Sequence, residues 1–96
     1  MATAQFVLSG YNTVSLTANT PLRLVAAVSG HYYMNILNLG PGTLYYKADG
    51  DPTVGDPSSL TLPPNMSDNQ VDVTGTQGLG VITDQTGTIA IRAGIL

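Results

Sequence analysis

The chain has 96 residues, of which 43% are hydrophobic and only 9% charged, with a formal net charge of −3 at pH 7. That length builds one domain around one core, and the hydrophobic content excludes a disordered chain. Arg23, Lys47 and Arg92 are the only cations, too few for the basic stripe that releases counterions from nucleic acid, so no nucleic-acid partner is expected.

Cysteine is absent, which removes disulfides, thiolate chemistry and cysteine-ligated zinc. No run approaches the roughly 18 apolar residues of a helical membrane span, so no membrane partner is expected either. Residues 1–8 lack a basic segment followed by a long apolar one, and the expectation is a product made and kept soluble in a cytoplasm. An ordinary globular chain is about 25% charged. This surface must instead be finished with Thr, Ser, Asn and Gln, and it lacks the usual protection against association. Neighbours are expected to cover much of it.

Helix signals are nearly missing. Glu is absent, Lys is single, and Gly or Pro breaks every window long enough for an amphipathic helix. Period-2 alternation recurs instead and predicts strands near 4–9, 12–18, 22–28, 31–39, 43–48, 70–74, 79–83 and 87–93. Val14, Leu16 and Ala18 alternate with Thr13, Ser15 and Thr17, and Ile89 and Ile91 alternate with Thr88, Ala90 and Arg92. Turn residues separate the runs: Ser9-Gly10, Asn19-Thr20-Pro21, Ser29-Gly30, Gly40-Pro41-Gly42, Gly75, Gly78 and Thr86-Gly87. The fold class is therefore all-β, a single small antiparallel β-sandwich or jelly-roll-like barrel spanning residues 1–96.

Residues 49–69 read differently. Asp49-Gly50-Asp51-Pro52, Gly55-Asp56-Pro57 and Leu62-Pro63-Pro64-Asn65 predict a long Pro- and Asp-rich loop with at most a short strand at 59–62. Loops of that length are usually functional or held by a partner.

No constellation marks an active site, and the chain is read as non-enzymatic, without catalytic residues, cofactor or metal. His31 is the only histidine, and no local motif supplies the nucleophile or carboxylate it would need. Asp49, Asp51 and Asp56 are hard oxygen donors, but their spacing is not that of an EF-hand and suits turn chemistry better. Gly75, Gly78 and Gly80 have no P-loop Lys and precede no helix, so they read as a hairpin loop.

The tyrosine pairs Tyr32-Tyr33 and Tyr45-Tyr46 should each send one ring inward and one outward, because successive strand side chains alternate. Inward rings supplement a core with a single Phe, and outward rings suit a protein interface or a sugar. A core this thin is commonly helped by oligomerisation. Ala93-Gly94-Ile95-Leu96 fits either an intersubunit contact or a last strand packed on its own core. Tyr45, Tyr46, Pro63, Pro64, Ile95 and Leu96 are the candidate interface residues.

The segment Ile36-Leu37-Asn38-Leu39-Gly40-Pro41-Gly42-Thr43-Leu44-Tyr45-Tyr46 resembles small structural proteins of tailed bacteriophages. Decoration (cement) and fibre-base proteins carry a strand, an Asn-x-Gly-x-Gly corner and an aromatic strand. An Asp- and Pro-rich loop and a Leu-Pro-Pro type turn follow, here Leu60-Thr61-Leu62-Pro63-Pro64-Asn65. The likeness covers roughly residues 32–92. It implies a β-sandwich or jelly-roll-like protein on the outer surface of the virion capsid, partnered by the major capsid protein and by its own copies, as a homotrimer or dimer. A head fibre base, a tail component and a carbohydrate-binding β-module are the alternatives.

Overall fold

A computed structural model describes residues 4–8, 11–26, 32–48, 50–73 and 78–95. Nine strands follow one another without a helix among these residues: β1 (Ala4–Leu8), β2 (Tyr11–Leu16), β3 (Leu22–Ala26), β4 (Tyr32–Asn38), β5 (Leu44–Ala48), β6 (Leu60–Leu62), β7 (Ser67–Val73), β8 (Leu79–Thr83) and β9 (Gly87–Ile95). They form two sheets, one of five strands in the order β1-β3-β8-β5-β6 and one of four in the order β2-β9-β4-β7. The small all-β sandwich read from the alternation is thus what the chain forms. Pairing is antiparallel except at one edge, where β1 runs parallel to β3 because β2 between them crosses to the other sheet.

Alternation places the core. Val14, Leu16, Met34, Ile36, Val71, Ile89 and Ile91 from the four-stranded sheet are buried against Leu24, Leu44, Tyr46, Leu62, Leu79 and Val81 from the other. These are the inward positions of a period-2 pattern. The β8 strand departs from that pattern, with all five of its residues buried, so both of its faces are covered.

One end of the sandwich gathers the turns that follow β2, β4, β6 and β8. Asn19 and Asn65 both have positive φ, and each sits third in a four-residue turn closed by a backbone bond: Thr20 N to Thr17 O at 3.2 Å, and Met66 N to Pro63 O at 3.2 Å. Asparagine tolerates that left-handed region better than most residues. The Gly40-Pro41-Gly42 corner leaves β4 here with Gly40 at φ +80° and a cis Gly40–Pro41 peptide.

Asn38 is the knot of this end. Its side chain is buried, and Nδ2 donates to Gly42 O and Leu62 O, both at 2.8 Å, while Oδ1 accepts from Gly40 N at 2.9 Å. Its main chain donates to Met66 O at 3.0 Å and accepts from Asn65 N at 2.6 Å. One residue therefore joins the corner after β4, the start of β5, the end of β6 and the turn into β7.

Two expected boundaries move. The segment expected as a loop over 49–69 holds the short strand read at 59–62, as β6, but ends earlier than expected, since β7 already begins at Ser67. Ser67-Asp68-Asn69-Gln70 carries little β propensity, and pairing with β4 overrides it. The last strand continues to Ile95, with its backbone paired to Tyr32.

Replacing Asn38 by Ala leaves two buried carbonyls and an N–H without side-chain partners. The expected loss is about 2–4 kcal/mol of unfolding free energy, read from urea denaturation. Asn38→Leu, of similar volume, should not recover it.

Candidate interaction surfaces

The outer face of the five-stranded sheet carries a row set by register: Arg23 on β3, Gly80 on β8 and Lys47 on β5 stand opposite one another. A cation flanks each side of a position with no side chain. Residues 50–59 cross over this row as a strap. Pro52 is fully buried, and a Cβ on Gly80 would overlap Gly50 O and stand 2.8 Å from Pro52 Cδ. The glycine is there for space, since it lets the strap lie on the sheet.

Each cation holds one carboxylate of the strap. Arg23 Nη2 lies 2.6 Å from Asp51 Oδ1, and Lys47 Nζ lies 3.1 Å from Asp56 Oδ2. The strap is also braced internally. A turn with Gly55 at φ +82° is closed by Asp56 N to Thr53 O at 3.0 Å, and the next by Ser59 N to Asp56 O at 3.1 Å. Asp56 Oδ1 accepts from Ser58 N at 2.9 Å and from Ser58 Oγ at 2.7 Å. These Ser58 bonds, and then Lys47, hold the Asp56 carboxyl well below the usual carboxylate range. The long loop expected to await a partner is thus held by its own sheet.

The same arrangement answers the acidic cluster. Asp51 and Asp56 face different cations, Asp49 lies outside the described residues, and among the described residues no three acidic, His or Cys side chains form a group that could hold a metal. His31 and residues 75–77 also lie outside the described residues. Among the described residues no helix is long and apolar enough to cross a membrane.

Of the candidate interface residues, the structure keeps only some at the surface. Tyr45 points outward from β5 between Ile82 and Thr61 and is half-buried. Tyr46 must be corrected: it points inward, is 2% exposed and cannot offer its ring to a partner. Alternation along β5 dictates both orientations. Pro63 is exposed, and Pro64 is half-buried near Gly40. Ile95 is the last residue of β9, and Leu96 lies outside the described residues.

Tyr46 does something else. Its hydroxyl donates to Asp68 Oδ2 at 2.7 Å, from one sheet to the other. A β-bulge makes this possible. Between the pairs Met34↔Val71 and Ile36↔Asp68 the β7 side takes one extra residue, which turns Asp68 to the core side. Burial first, then the Asp68 hydrogen bond and charge, push the Tyr46 phenol above its ordinary pKa.

The outer face of the four-stranded sheet is the surface that sequence reading overlooked. Across it stand Tyr11, Thr13 and Ser15 of β2, Thr88 and Ala90 of β9, Asn35 and Leu37 of β4 and Ser67 of β7. Tyr11 is 68% exposed, and Leu39, just past β4, is 47% exposed. None of these side chains is charged, although Arg92 of β9 stands in register between Tyr11 and Asn35, and among the described residues no strap crosses them. The signal lay in the polar half of each alternating strand, which holds Thr, Ser and Asn where Lys and Glu are usual.

Comparison of the chain with models of known protein families and with curated proteins finds no match.

Two outcomes test the strap and the clasp. Because the folded Asp56 pKa is depressed, its contribution is complete above the unfolded value of about 3.9 and fades as pH falls toward the folded one. Amide protection factors over residues 51–59, taken relative to the intrinsic rate at each pH, should therefore fall on acidification below about pH 4. Asp56→Asn should lower those protection factors already at neutral pH and flatten their pH dependence. The raised Tyr46 pKa has the opposite sense: its contribution is whole below the unfolded value of about 10 and is lost as pH rises through the folded one. Asp68 has further interactions, so Tyr46→Phe should cost only about 1–2 kcal/mol in denaturant unfolding. It should also remove the most alkaline step from the tyrosinate absorbance titration.

Proposed function

We propose that this protein is a non-enzymatic structural component of a virion, a decoration (cement) protein that binds the outer surface of a tailed-phage capsid and stabilises the shell. The observation that carries this reading is the outer face of the β2-β9-β4-β7 sheet, which no strap crosses among the described residues and whose described side chains are uncharged, with Arg92 in register at its Tyr11 end. A face of Thr, Ser, Asn, Leu, Ala and Tyr side chains can be desolvated against another protein without stranding a charge. Its counterpart on the other sheet is already occupied by the strap.

The partner in this reading is the major capsid protein, with further copies of the chain completing a homotrimer or dimer. The mechanism needs no chemistry. A protein that binds the assembled shell and not its free subunits stabilises the assembled state by mass action. A β-sandwich suits the task because its face is fixed by two hydrogen-bonded sheets, so little ordering entropy is lost on docking.

The test is heat resistance of heads assembled with and without the protein. Added wild-type protein should raise the temperature at which heads release DNA. Leu37→Glu, which puts a carboxylate between Ala90 and Ser67 in the middle of the face, should weaken binding to heads by about tenfold or more. Tyr45→Ser, on the opposite sheet, should change it little. Heads equally heat-resistant with and without the protein would end the cementing reading.

A further inference from the structure

The two flanks of the sandwich are built differently. At one flank the edges are β6 and β7, and both are defended against strand addition. The β6 strand is three residues long and runs into Pro63-Pro64. The β7 strand carries a bulge and, at Asp68, a carboxylate clasped by Tyr46 of the other sheet. Short edges, prolines, bulges and inward charges are the known devices that stop edge pairing.

At the other flank the edges are β1 and β2. Neither Ala4–Leu8 nor Tyr11–Leu16 contains a charged residue, a proline or a glycine. The β2 strand pairs with β9 in unbroken register from Tyr11↔Arg92 to Leu16↔Gly87, without a bulge. In an antiparallel ladder, alternate residues turn their N–H and C=O away from the neighbour, and among the described residues no strand pairs with that far side of β2. Only an extended strand matches such a side.

We propose that β2 is a self-docking edge: a second copy of this chain adds its own β2 antiparallel to it across a twofold axis, joining the two four-stranded sheets into one of eight. Same-face pairing allows two central registers. One sets Thr13 opposite Thr13 with Tyr11 opposite Ser15, and the other sets Val14 opposite Val14 with Thr13 opposite Ser15. Hydroxyl then meets hydroxyl or ring on the outer face, Val14 stays on the core side, and no charge meets a like charge. That neutrality favours a copy over a charged foreign strand. A twofold is also the symmetry that presents the same edge to itself, whereas β2 against β7 of another copy would meet the bulge. The inference rests on this edge alone and is independent of any capsid, so its failure and that of the capsid reading are separate results.

The experiment is light scattering on a sizing column across the micromolar range, with wild type, Thr13→Lys, Ser15→Lys and, as control, Ser67→Lys on the outer side of β7. Wild type and Ser67→Lys should be dimers. Each β2 variant should raise the dimer dissociation constant by about tenfold or more while keeping the wild-type far-UV spectrum. A wild-type monomer throughout the range overturns the proposal, and so does a dimer that both β2 variants leave intact. Should the variants misfold, amide exchange of wild-type β2 decides: outward amides protected more strongly at higher protein concentration support the pairing, and concentration-independent exchange overturns it.

Discussion

The row Arg23–Gly80–Lys47 organises this molecule more than any other contact. Register across β3, β8 and β5 sets two cations about a gap, and the gap admits Gly50 and Pro52. With the strap in place, β8 is buried on both faces and becomes the centre of the five-stranded sheet. Surface ion pairs are worth little by themselves, and the Arg23–Asp51 and Lys47–Asp56 pairs are partly exposed. Pro52 packing over Gly80 therefore holds the strap down, and the two ion pairs fix where along the sheet it lies. A side chain at position 80 would remove the space that both depend on.

That strap also bears on where the charge lies. Two of the three cations lie under it, and the third, Arg92, stands in register between Tyr11 and Asn35 on the four-stranded sheet. The described side chains of that sheet's outer face are uncharged. Low charge, read in the sequence as a general tendency to associate, is in the fold a directional property. One face has internal pairs under a strap, and the other has hydroxyls, amides and aliphatic groups open to a partner.

How much of this could be read in the sequence depends on how local the cause is. The strands, and the rule that one ring of Tyr45-Tyr46 turns inward, follow from alternation between neighbouring residues and were legible, but which of the two rings turns inward was not. The strap was not, because its ion pairs join residues far apart in the chain, such as Arg23 and Asp51, and because Gly80 serves close approach where glycine is usually read as a turn. The β7 strand was legible only in its Val71-Asp72-Val73 half. Its polar first half is a strand because β4 pairs with it, and the bulge that turns Asp68 inward breaks the very period that sequence reading relies on. The parallel β1–β3 edge was hidden for another reason, since which sheet a strand joins is decided by the intervening β2. Among the candidate site residues, Tyr45 and Pro63 reach the surface, whereas Tyr46 became a clasp between sheets.

A sandwich has two faces and two flanks, and here each pair is unequal. The β6/β7 flank is shut by a short strand, prolines, a bulge and the Tyr46–Asp68 bond, while strands β1 and β2 of the other flank carry none of these devices. One face is strapped, and the other is bare. Edge strands left undefended are a hazard to a protein that must stay alone, and a neutral surface removes the repulsion that keeps ordinary proteins apart. The fold does contain the means to close an edge, because it uses them on one side. Their absence from β1 and β2, beside a face whose described side chains are uncharged, is what the proposed assembly rests on. In that proposal the flank sets how copies join, and the face sets what they join to.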